Sequence, residues 1–170
     1  MPPSSPTIEA GEATATPGLF TSEDDTEALL FRYDDDMMII GNRGRRTLNL
    51  FPLNFTLFEP DEAGNPQRRI RLRVIDAPDT FEQSATNFRA TRCLNILNNN
   101  VYSAQPQNLP LSDGLCPSSP FWYTTLDVFW VSDVDGAYFE LSYNGDIVGQ
   151  CETVPSDATD EMRCAISLDD

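Results

Sequence analysis

Residues 138–151 read YFELSYNGDIVGQC, and this stretch decides the fold. Asn144-Gly145 sits at its middle, and this pair tolerates the positive φ angles that a two-residue type I′ turn needs. The stretch therefore predicts a β-hairpin. Met162–Leu168 follows as a last strand. Upstream, FWYTTLDVFWV (121–131) reads as one long aromatic strand or two short ones. On a regular strand, Phe121, Tyr123, Thr125, Asp127 and Phe129 share one face. Trp122, Thr124, Leu126, Val128 and Trp130 share the other, more apolar face, which is expected to be the core side.

The same pattern runs back to residue 28. ALLFRY (28–33) is a strand, Asp34-Asp35-Asp36 an acidic turn, and MMIIGN (37–42) a second strand. TLNLFPLNFTLF (47–58) continues it, with a break at Pro52. EPDEAGNPQ (59–67) is a loop of turn formers. Residues 68–74, RRIRLRV, alternate most cleanly: Ile70, Leu72 and Val74 face one side, and Arg69, Arg71 and Arg73 the other. TRCLNIL (91–97) is a strand. Residues 79–91 are expected to hold a helical turn or short helix, with Asp79 as its cap. Eight or nine short strands with little helix predict an all-β sandwich or barrel.

Composition removes several chemistries. The 170 residues contain no His and no Lys, and all 11 basic residues are Arg. Ser-His-Asp and Cys-His catalysis, Schiff bases, the P-loop lysine and His-based zinc sites are excluded. The net charge of -16 argues against nucleic acid and anionic lipid as partners. No apolar run is long enough to span a membrane. The charge is uneven: residues 1–27 carry -6, residues 28–92 carry +1, and residues 93–170 carry -11.

Cys93, Cys116, Cys151 and Cys164 form an even set. Three pairings are open, and spacing favours the sequential one, Cys93–Cys116 and Cys151–Cys164. A zinc site would want a close C-x-x-C pair, and none exists. Disulfides imply an extracellular, cell-surface or periplasmic location. MPPSSPTIEA shows no charged n-region and no apolar h-region, so Met1 is expected to be an added start or the mark of a fragment. Residues 1–26 are rich in Pro, Ser, Thr and acids and are expected to be a flexible linker before a single domain, 27–170.

The candidate site residues are few. Phe121, Tyr123, Asp127 and Phe129 form an aromatic face with a carboxylate that suits sugar or protein binding, with burial under another layer as the plain alternative. Asp34, Asp35 and Asp36, and Asp133 and Asp135 in a D-x-D-G run, are candidates for Ca²⁺, with ordinary solvated turns as the alternative. The Arg69, Arg71 and Arg73 ladder would grip an acidic partner, or pair across the sheet with Glu or Asp of its own chain. Asn54-Phe55-Thr56 is an N-glycosylation sequon. A hydrolase would need two converging carboxylates.

MMIIGNRGRRTLNLFPLNFTLF (37–58) resembles the start of a lamin-tail-like domain, and ATRCLNIL (90–97) resembles a later strand of such domains. FWVSD (129–133) followed by FELSYNGDIVGQC (139–151) is similar to uncharacterised surface modules of filamentous bacteria such as Chloroflexi. The resemblance implies an immunoglobulin-like β-sandwich accessory domain of about eight strands, with no catalytic residues to carry over. The expected role is a non-catalytic extracellular module for adhesion, scaffolding or assembly within a larger surface protein. Its expected partner is another protein or its own assembly, with no cofactor. The alternative is a carbohydrate-binding module using the aromatic strand, with or without calcium.

Overall fold

A computed structural model describes residues 28–98, 121–124, 128–158 and 160–168. The expected linker 1–26, Cys116 and Asp127 lie outside them, as do the side chains of Phe121 and Tyr123. The described strands build a two-sheet β-sandwich. They are β1 (Ala28–Tyr33), β2 (Met37–Asn42), β3 (Leu53–Pro60), β4 (Pro66–Arg73), β5 (Cys93–Leu97), β6 (Phe121–Tyr123), β7 (Tyr138–Tyr143), β8 (Asp146–Glu152) and β9 (Met162–Ser167). One α-helix, α1 (Asp79–Thr86), follows a 3₁₀ turn at Val74–Asp76.

The first sheet has the order β6-β5-β2-β1-β9 and the second β4-β3-β7-β8. All pairs are antiparallel except β5 with β6. The second sheet alternates along β3: Leu53, Phe55 and Leu57 are buried, while Asn54, Thr56 and Phe58 are half-buried on the outer side. The first sheet does not alternate, because every residue of β2 and β5 is buried. Both faces of β2 and β5 are buried, which suits the apolar run MMII and the mostly apolar CLNIL, whose one polar residue is the buried Asn95.

Between the sheets lies an aromatic core. Phe55 stacks on Phe129 at 4.4 Å, and Phe129 meets Trp130 and Phe139 edge-on. Phe31 and Tyr33 of β1 close the cluster against Phe55 and Phe139. Edge-to-face and offset stacking are the arrangements that ring quadrupoles favour.

Two devices close the sides of the sandwich. On one side, Cys151 of β8 and Cys164 of β9 form a disulfide with a Cα–Cα distance of 6.0 Å, joining the edge strands of the two sheets. Gly149 lets these strands approach, since a Cβ there would lie 2.1 Å from Ile166 Cδ1. On the other side, α1 buries Phe81 and Ala85, with Phe81 against Trp122 at 5.2 Å.

The sequence expectations differ from the structure in three local ways. Residues 47–52 are not strand: Leu48 makes one isolated bridge to Phe88, and β3 begins after a turn at Phe51-Pro52. The helix cap is Pro78, not Asp79, which lies inside the first turn, where its charge suits the helix dipole. The 121–131 aromatic run is a strand only over 121–123 within the described residues, with an isolated bridge from Val131 to Val154. The hairpin turn is as expected, with φ of 55° at Asn144 and 88° at Gly145.

Candidate functional site: the open face of the four-stranded sheet

Among the described residues no element packs on the outer face of the second sheet, and cross-strand register sets what it displays. One row across the four strands is Arg73, Asn54, Ser142 and Ile147. The next is Arg71, Thr56, Glu140 and Gln150. The third is Arg68, Phe58, Tyr138 and Glu152. Residues directly opposite share a face, so these three rows form one surface. Phe58 and Tyr138 stack at 5.3 Å with ring planes 21° apart, both half-exposed. Ile147 is 63% exposed, an unusual position for so large an apolar side chain.

The face is polarised. Arginines line the β4 margin, and Glu140 and Glu152 lie toward β7 and β8. Among the described residues, Arg68, Arg71, Glu140 and Glu152 make no ion pair. The expected pairing of the ladder within its own chain holds for Arg69 and Arg73 but not for Arg71; across the sheet Arg71 faces Thr56 and Arg73 faces Asn54. Arg73 instead pairs locally with Asp76 at 2.9 Å. A register shift between Leu57 and Phe58 puts Arg68, not Arg69, opposite Phe58. Arg69 pairs with Glu59 at 3.4 Å. Burial and the nearby Glu140 carboxylate push the Tyr138 phenol up, which places these two groups together on the face.

Of the sequence-nominated aromatic face, Phe129 is not accessible. Phe129 is 0% exposed and forms the centre of the core, so it offers nothing to a ligand. A short β6 frees residues 128–130 from strand alternation, and both Phe129 and Trp130 turn inward. Asp127 and the side chains of Phe121 and Tyr123 lie outside the described residues.

The acidic turns are organised by hydrogen bonds to Asp34 and Asp133. Asp34 Oδ1 accepts hydrogen bonds from the Asp36 and Met37 amides at 2.9 and 3.1 Å. The Trp130 indole donates to the Asp34 carbonyl at 2.8 Å, and the Asn98 side-chain amide to the Asp35 carbonyl at 2.9 Å. Burial, then the neighbouring aspartates, push the Asp35 and Asp36 carboxyls up. Asp133 accepts from the Ser156 amide and hydroxyl, both at 2.8 Å, and is held below the usual carboxylate range by these bonds. Asp135 is exposed in the adjoining loop. Among the described residues no three His, Cys, Asp or Glu side chains are grouped to hold a metal ion.

Of the four cysteines, Cys151 and Cys164 are joined as expected, and Cys93 is also disulfide-bonded. Its expected partner, Cys116, lies outside the described residues. No helix among the described residues is long and apolar enough to cross a membrane.

Sequence reading missed one constellation. Arg32 of β1 is 3% exposed, and its guanidinium donates to both oxygens of Glu161, at 3.2 and 2.7 Å. Arg163 of β9, opposite Arg32, donates to the same carboxylate. Burial works against the charge on Glu161, but the bonds from Arg32 and Arg163 outweigh it and hold the carboxyl low. The group ties β1 and β9 to the chain before β9, which is a structural role. Comparison with protein families, curated proteins and solved structures finds no match, so the functional reading stands on these residues.

Proposed function

We propose that this chain is a non-catalytic module of an extracellular, cell-surface or periplasmic assembly, related to the lamin-tail-like sandwiches and acting by docking. The observation that carries this reading is the open face of the second sheet. It combines a half-exposed aromatic pair, an exposed isoleucine and four charges without ion pairs among the described residues, all on one face of a four-stranded sheet. Unpaired charge beside exposed aromatic surface is a usual composition for recognition surfaces. The buried Cys151–Cys164 cross-link supports an oxidising compartment.

The test is retention on envelope preparations of the source organism. The secreted chain is expected to bind, and Tyr138→Ala with Arg71→Glu to release it. Equal retention of variant and parent would overturn the reading. Intact mass after alkylation checks the compartment: four alkyl groups are expected only after reduction, and four thiols that alkylate in the native secreted protein would remove it.

A second reading, carbohydrate binding, is favoured by the Phe58–Tyr138 pair, which replaces the buried Phe129 as the accessible aromatic surface. Retardation in gels containing soluble polysaccharides, lost in Tyr138→Ala, would select it over protein docking.

A further inference from the structure

We infer that the open face of the second sheet docks onto a second copy of this chain, forming a two-fold dimer. The inference rests on the docking reading and names the partner. Its basis is that the face is complementary to itself. Arg68 and Arg71 lie on the β4 margin and Glu152 and Glu140 on the β7–β8 side, without ion pairs among the described residues.

A two-fold axis parallel to the strands, lying between β3 and β7, brings two such faces together. It sets β4 of each copy over β8 of the other and β3 over β7, and it keeps each row in register. Arg68 then meets Glu152 of the second copy. Arg71 meets Gln150 and lies one strand from Glu140. Phe58 lies over Tyr138, and the aliphatic stem of Arg73 covers the exposed Ile147. Each contact occurs twice, as an isologous interface requires. A parallel shift by one row would set Arg68 over Gln150 and lose this match.

The area sets the strength. Four strands about 4.8 Å apart and rows about 7 Å apart give roughly 400 Å² per copy. That total lies below about 1,200 Å², in the range of weak, transient interfaces. A dimer with Kd on the order of 10–100 μM is expected, which matters where copies are tethered side by side and effective concentrations are high.

Sedimentation velocity of the full chain over about 1 to 500 μM tests this. Concentration-dependent dimerisation is expected. Arg68→Glu and Glu152→Arg should each weaken it at least about tenfold, and the two together in one chain should restore it to within about threefold. Glu152→Arg is the discriminating variant. It lowers the net charge from -16 to -14, which by overall repulsion alone would strengthen association. All these side chains are exposed, so the variants keep the fold. A monomer at every concentration, a stronger dimer in Glu152→Arg, or failure of the double variant to recover would each overturn the inference. Envelope retention is read separately, so a monomer that still binds envelopes leaves the docking reading standing.

Discussion

At the scale of single residues, the most consequential charges lie away from the open face. Arg32 is buried, and a buried guanidinium is tolerated only when its donors are met. Glu161→Gln removes the charge that meets it and is expected to cost about 2 kcal/mol in denaturant unfolding. The pH dependence follows from the lowered Glu161 carboxyl. A depressed folded-state value means the stabilisation is present above the ordinary value of 4.5 and is lost as pH falls through the lower one. Acid unfolding of the parent should therefore be steeper below pH 4.5 than that of Glu161→Gln. Asp36 has the opposite sign. Burial and its aspartate neighbours raise it, so its ionisation above the ordinary value of 3.8 opposes folding. Asp36→Asn should raise the unfolding free energy at neutral pH slightly, by no more than about 0.5 kcal/mol because solvent screens the site. A fall would show that its carboxylate is needed. None of this was legible in ALLFRY or in the DEMR run (160–163) that leads into β9. Period-two reading assigns Arg32 to an outer face, and only the burial of both faces of the first sheet makes that position costly.

At the scale of elements, what could be read was whatever local chemistry dictates. Strands β1, β2 and β5, the hairpin and β9 lie where their residues indicated, because Asn144-Gly145 and the Asp34–Asp36 turn set boundaries without help from distant contacts. The aromatic run failed because Phe129 answers to Phe55 and Phe139, which lie far away in the chain. The slip from Arg69 to Arg68 failed for a related reason, since a bulge is a property of two strands together. Gly149 shows the same limit. Nothing in IVGQC marks this glycine, yet Ile166 of β9 fills the space a Cβ would need. Gly149→Ala is expected to destabilise by about 1–2 kcal/mol through overpacking. Ile166→Val removes the atom 2.1 Å from that Cβ. In the Gly149→Ala background it should cost less than in the parent, and a double-mutant cycle measures the difference. Strict additivity would mean the strands separate rather than clash.

At the scale of the whole molecule, the two sheets are held by unequal sides. Near α1, among the described residues, the closure is made by the packing of Phe81, Ala85 and Trp122. Between β8 and β9 it is the Cys151–Cys164 bond, with a sequence separation of 13. A loop of this length should contribute about 3 kcal/mol, mostly by restricting the unfolded chain. Replacing both cysteines with Ala should lower unfolding stability by about that amount. The local consequence matters more for function. β8 carries Gln150 and Glu152 on the open face, flanking Cys151. Losing the bond frees the β8 edge before the β3–β7 centre, which the core rings still clamp. Hydrogen exchange should therefore rise first along Asp146–Glu152 and Met162–Ser167, while Leu53–Pro60 keeps its protection. Uniform loss of protection across both sheets would instead mean that the disulfide stabilises one cooperative unit. In that case reduction would unfold the whole sandwich, not just its β8 margin.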